Sequence, residues 1–234
     1  MNLLSRQVVP IQLTLQNFFA LKENKVDRIS INPQTVNDEV LKTIGRKHTA
    51  QQFFDAFELA RKCGFDNINT DLIAGLPTDT PESFKNSLDS IVRLNAECIT
   101  VHTLCMKRAS RLTTEGVTLD LQQARDAREM LAYTQNILGQ NEYIPYYMYR
   151  QSRMVGNLEN VGWSKKGFES LYNVYVMDET HTILACGSGG VTKLKRNNPD
   201  YLERIFNFKY PYEYIDRFDE LIQRKSGIMQ FYGQ

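Results

Sequence analysis

The sequence predicts an α/β fold, a series of βα units that reads as the second half of a parallel-stranded barrel, followed by a smaller α+β region. Three observations lead there. β-rich runs at Asp27 to Ile31, Asn67 to Ile73 and Cys98 to Leu104 alternate with stretches of helical spacing. The runs are of the apolar, parallel type that is covered on both faces. The first two end in polar groups at their C-terminal ends, which in a barrel of parallel strands face the active site.

Taken in order, the first strand continues as Asn32-Pro33-Gln34, and Thr35 to Arg46 has helical spacing. Thr49 to Cys63 follows as a helix with Phe53, Phe57 and Ala60 on one face and Gly64 at the stop. The second strand leads into a turn through Gly75, Leu76 and Pro77. Thr80, Pro81 and Glu82 then supply an N-cap, a first-turn proline and a first-turn acid for a helix to about Asn95. Three strands are too few to close a barrel, so an unpaired edge is expected at the first one, near residues 27–32.

Past Leu104 the rhythm stops. Met106 to Leu119 reads as a basic, Thr-rich connection, and Leu121 to Leu138 as a helix that Gly139 can end. Tyr143 to Tyr149 is an aromatic strand that Pro145 confines to an edge or a bend. Tyr172 to Met177 and His181 to Ala185 predict a hairpin across Asp178 and Glu179, and Tyr212 to Lys225 a last amphipathic helix. The resulting division is 1–13, 14–140 as barrel half, and 141–234 as accessory region.

A chain of 234 residues with a formal charge of +1 has neither the basic patch that argues for nucleic acid nor an acidic tail. No apolar run approaches the roughly 20 residues that span a bilayer. No membrane partner is expected, and the expected location is the cytoplasm. Cys63, Cys98, Cys105 and Cys186 are too scattered for a local metal knuckle, so no metal ligand is assigned and each reads as a small buried hydrophobe.

The pair of segments Arg28 to Gln34 and Ile68 to Pro77 resembles the fourth and fifth barrel strands of radical S-adenosylmethionine enzymes. The likeness is to the oxygen-independent coproporphyrinogen III oxidase group, and within it to the branch called coproporphyrinogen dehydrogenase HemZ. It covers about residues 14–225. It implies oxidative decarboxylation of coproporphyrinogen III to protoporphyrinogen IX in the intact parent, with S-adenosylmethionine and a [4Fe-4S] cluster as cofactors. The family holds its cluster by Cys-x-x-x-Cys-x-x-Cys, a motif this chain lacks, so activity of the chain alone is not expected. Implied partners are a porphyrinogen or haem, and a complementing N-terminal half. Haem trafficking without oxidase activity is the alternative, and a nonfunctional remnant a third reading.

Gln7 to Leu13 and the family's strand sequence Ala-Gly-Arg-Pro-Asp-Thr-Ile can be encoded by one stretch of DNA read one base apart. The N-terminal 13 residues therefore read as a frameshifted or split gene, with a genuine divergent start as the alternative.

The resemblance assigns cofactor-binding roles to Gln34, to Arg46 as partner of the cosubstrate's carboxylate, to Asp71 at the ribose and to Cys105 beside the adenine. Asp71 also stands out physically: a carboxylate inside an apolar strand is costly unless partnered. His102 reads as a satisfied core residue, and Gly187 to Gly190 as a structural turn. Arg150 and Arg153 beside Tyr149 are candidates for a conjugated ring bearing carboxylates, since aromatic faces stack and guanidiniums pair with propionates. No catalytic residue is assigned.

Overall fold

The computed structural model describes residues 5–8, 14–105, 121–150, 154–197 and 200–233. They divide into two compact units, Met1–Ser170 and Leu171–Gln234. Arg153 and the connection 106–120 lie outside the described residues.

The first unit is an α/β layer. Its elements are β1 (Ser5–Val8), α1 (Leu15–Glu23), β2 (Arg28–Ile31), α2 (Asp38–Thr43), α3 (Ala50–Lys62), β3 (Ile68–Ala74), α4 (Pro81–Arg93) and β4 (Cys98–Thr103). After these come α5 (Leu121–Gln140), β5 (Ile144–Tyr149) and β6 (Asn160–Ser164). The six strands form one sheet in the order β1-β2-β3-β4-β6-β5. The first four are parallel, and β6 and β5 close the sheet antiparallel. The three predicted strands are adjacent and parallel, as the fold class requires.

Local chemistry accounts for the helices. Thr49 Oγ1 accepts from Gln52 N while the Gln52 side chain reaches back to Thr49 N, a reciprocal cap at the start of α3. Thr80 caps α4 with Pro81 behind it. Gly64, at φ 81°, takes the left-handed conformation that ends α3 without a Cβ penalty. Phe18, Phe53, Phe57, Phe65 and Phe84 are fully buried with Ile29, Ile68, Leu72 and Leu88 in one core between helices and sheet. Each such side chain contributes roughly 1.5–3 kcal/mol by leaving water.

Four expectations are corrected. The edge of β2 is not open: Ser5–Val8 pairs along it from Ser5 opposite Arg28, which satisfies the ladder groups a bare edge would expose. The first unit runs to Ser170 rather than 140, because β5 and β6 add to the barrel sheet instead of leaving it. Pro145 does sit on an edge strand, beside a register shift. Leu171–Asp178 is a helix, not a hairpin arm, since Ile183 exchanges both ladder bonds with Lys193 instead. Finally, the helix expected over Tyr212 to Lys225 is broken at Arg217 into two short ones, and a third follows after Ser226.

The second unit contains α6 (Leu171–Asp178), the hairpin β7 (Val191–Asn197) and β8 (Asp200–Phe206), and α7 (Pro211–Asp216), α8 (Phe218–Lys225) and α9 (Gly227–Tyr232). Leu194, Ile205 and Phe231 form its buried cluster. Among the described residues no helix is long and apolar enough to cross a membrane.

Candidate functional site

The register sorts the strand residues onto two faces. Asn69, Asp71 and Ile73 of β3 stand opposite Cys98, Thr100 and His102 of β4, while Thr70, Leu72 and Ala74 point into the core. On β6, Gly162 and Ser164 face Thr100 and Cys98, and on β5, Tyr147 and Tyr149 face Gly162 and Asn160. One face of the sheet is therefore polar from β2 to β5.

Asp71 has a polar neighbour on each side. Its Oδ1 accepts from Asn69 Nδ2 at 2.7 Å, and Asn69 Oδ1 in turn accepts from Thr100 Oγ1 at 3.2 Å. Thr100 Oγ1 lies 3.2 Å from the Tyr147 hydroxyl. On the other side, Asp71 Oδ2 lies 3.5 Å from His102 Nε2, and His102 Nδ1 lies 3.4 Å from the Tyr149 hydroxyl. Tyr147 and Tyr149 stack at 6.3 Å between centroids. Burial pushes both phenols up, with the nearby Asp71 charge adding to the shift, so they remain hydroxyls.

Gly162 makes this arrangement possible. A Cβ there would fall 1.8 Å from the Tyr147 ring, so the tyrosine lies on bare backbone. At the N-terminal end of the strands, Arg28 Nη1 donates to Asn67 Oδ1 at 2.9 Å, to Phe168 O at 2.9 Å and to Cys98 Sγ at 3.2 Å. Cys98 is buried as expected, but among polar groups rather than hydrocarbon.

Gln34 is brought to Asp71 by the backbone. Its N donates to Asp71 O at 3.0 Å and its O accepts from Ile73 N at 3.0 Å, so the ladder continues past Pro33. The Gln34 φ of 73° is left-handed, a sparsely populated state of the kind that clusters at ligand sites. His48 Nε2, 3.2 Å from Pro33 O, secures the preceding carbonyl. Burial depresses the His48 pKa, and the Arg46 charge lowers it further. Beside Gln34, Asn32 Oδ1 is buried without a hydrogen-bond partner, an acceptor suited to a ligand donor.

The other candidates are less converged. Arg46 is exposed and forms no ion pair among the described residues. Cys105 bridges Met154 at the end of β4. Arg150 is half exposed and paired with Glu159, so it must exchange that carboxylate to meet a ligand. Tyr149 stands with the Asp71 group through His102. Gly187–Gly190 closes as a turn, with Gly190 N donating to Gly187 O.

Sequence reasoning missed Asn69, Thr100, Tyr147 and His48, and it placed His102 in the core although its side chain is 26% exposed. The signal was present as polar residues at alternate positions of otherwise apolar strands. A cavity of about 630 Å³ lies against β5 and β6, lined by Val101, Leu131, Tyr146, Met148 and Trp163 together with Tyr147 of this group.

Residues 8–91 match the model of the Radical SAM superfamily. The chain is 38% identical over 221 residues to the oxygen-independent coproporphyrinogen-III oxidase-like protein HemZ of Bacillus subtilis, covering 94% of this chain and 44% of that protein. The chain belongs to the radical S-adenosylmethionine superfamily. It is 33% identical to the heme chaperone HemW of Lactococcus lactis over 76% of this chain and 45% of that one. Coproporphyrinogen III oxidase HemN of Escherichia coli shares the fold with TM-score 0.68 and 20% identity over 92% of this chain and 48% of that one. The chain thus spans about half the length of the relatives it matches.

Membership of the superfamily implies S-adenosylmethionine and a [4Fe-4S] cluster, and the residues fit these two groups differently. Among the described residues no group of three His, Cys, Asp or Glu side chains could hold a metal ion, and Cys98 is engaged by Arg28. The cluster does not fit these residues. The nucleoside does: each Asp71 oxygen keeps lone-pair capacity beyond its one neighbour, which suits a vicinal diol.

Proposed function

We propose that this chain is the nucleoside-binding half of a radical S-adenosylmethionine protein acting on tetrapyrroles. Its intact parent would carry out the oxygen-independent oxidative decarboxylation of coproporphyrinogen III to protoporphyrinogen IX. The observation that carries the reading is Asp71, a two-sided, partly exposed carboxylate next to the left-handed Gln34, in a chain 38% identical to HemZ over nearly its whole length.

When bound, S-adenosylmethionine supplies the radical chemistry of this superfamily, and the protein's part is to hold and orient it. Asp71 accepts the ribose hydroxyls, Gln34 offers its amide beside them, and Arg46 is the fixed charge for the carboxylate of the methionyl end. Cys105 packs near the adenine. On the substrate side Tyr149 and Arg150 meet the ring and its propionates, and the family resemblance adds Arg153, which lies outside the described residues. The cluster ligands would come from outside residues 1–234.

A second reading is favoured by the 33% identity to HemW, named a heme chaperone. A haem-trafficking protein would use the same strands to bind haem without turnover. The test is an assay of the chain complemented with the N-terminal half of its HemZ relative. Conversion of coproporphyrinogen III supports the oxidase, whereas tight haem binding with coproporphyrinogen left unchanged overturns it in favour of the chaperone. Arg150→Ala should lower porphyrin affinity and leave S-adenosylmethionine affinity intact.

A further inference from the structure

The family likeness gives His102 no role, yet it is the side chain that reaches Asp71 Oδ2, at 3.5 Å through Nε2. The register explains how. His102 stands opposite Ile73 on β4, one diagonal step from Asp71, and its ring projects from the polar face. On its far side Nδ1 lies 3.4 Å from the Tyr149 hydroxyl, and the two rings meet edge to face at 6.4 Å.

The carboxylate decides the proton arrangement. A carboxylate can only accept, so a neutral imidazole that faces one through Nε2 must carry its proton on that nitrogen. Nδ1 is then an acceptor, and the partner it needs is an O–H. Tyr149 supplies one, because burial and the Asp71 charge keep its phenol protonated. The contact of 3.5 Å is long for a hydrogen bond, as polar contacts of unliganded sites often are before they tighten on binding.

Asn69 already fixes Asp71 Oδ1 at 2.7 Å. With one oxygen held, the carboxylate still swings about its last torsion, which is broad and roughly two-fold for an aspartate. A second donor on the other oxygen selects one plane. We propose that His102, braced by Tyr149, is a positioning residue that sets the plane of the Asp71 carboxylate for a vicinal diol. This deepens, and rests on, the reading of Asp71 as the ribose-binding residue.

The test uses the 234-residue chain and adenosine, which carries the diol without the methionyl group. His102→Phe removes the donor and should weaken adenosine binding about tenfold, the scale of a lost hydrogen bond to a charged group. His102→Gln, whose amide nitrogen reaches a similar position, should restore most of it. A merely space-filling role predicts the reverse, with Phe tolerated at least as well as Gln. Long-range ¹H–¹⁵N spectra of the imidazole supply a readout independent of ligand and should show the Nε2-protonated tautomer, shifted on Asp71→Asn.

The outcomes are distinct. Unchanged affinity in His102→Phe, with binding lost in Asp71→Ala, overturns the positioning role and leaves the ribose reading standing. Unchanged affinity in Asp71→Ala, or no adenosine binding by the wild-type chain, overturns the ribose reading itself. Should His102→Phe fail to fold, the Gln variant and the tautomer decide, and an Nδ1-protonated imidazole overturns the proposal.

Discussion

Two buried ionisable residues near Asp71's strand and its neighbour carry pH signatures of opposite sign. His48 holds Pro33 O, and burial lowers its pKa from the ordinary 6.5. The unfolded chain therefore takes up the extra proton first, so this contribution to stability is complete above about pH 6.5 and is lost as pH falls through that region. Urea unfolding at pH 7.5 and 5.5 should show a loss that His48→Gln removes. Asp79 is the reverse case: burial raises its carboxyl pKa and leaves Oδ2 unpartnered, so the folded state loses stability as pH rises and the group ionises. Asp79→Asn should raise stability at pH 7 by roughly 1 kcal/mol, since no charge is then desolvated. At this scale the sequence was legible where one residue broke its own local rule. Asp71 in an apolar strand announced itself, and so did Gln34 after a proline. Asn69 is two residues from Asp71 on the same strand, but His102 and Tyr149 were not legible as partners, because they become neighbours through strand pairing alone.

Among the elements, the βα units from β2 to β4 could be read from spacing, capping residues and breakers, all of which are local. Thr49, Gly64, Thr80 and Pro81 each act where they stand. The strands that the sequence concealed are those defined by their partners. β1 has no apolar alternation and exists as the neighbour of β2. β6, reading Asn-Val-Gly-Trp-Ser, contains a glycine that would ordinarily weaken a strand. That glycine is the element's reason for being: Tyr147 occupies the space a side chain would take. Gly162→Ala should force the ring away, destabilise the protein by about 1–3 kcal/mol as overpacked sites do, and weaken nucleoside binding through the Tyr147–Thr100–Asn69 chain. Thermal unfolding and adenosine titration check both effects; an unaltered protein would show that Tyr147 is free to move without consequence.

At the scale of the molecule, the chain spans about half the length of the relatives it matches. The parallel strands and the polar face are present, and the four cysteines are dispersed among a helix end, two strand ends and the second unit. Reconstituted alone with iron and sulfide, the chain should develop no four-iron absorption and should not cleave S-adenosylmethionine; a competent cluster would show that these cysteines had been misread. The most direct measurement of the central claim is calorimetric titration of the chain with adenosine and with 2′,3′-dideoxyadenosine. If the Asp71 face is a nucleoside site that reads the ribose diol, adenosine binds at least about tenfold more tightly than the dideoxy compound, as loss of a hydrogen bond to a carboxylate requires. Equal affinity for the two, or no binding of adenosine, would contradict it.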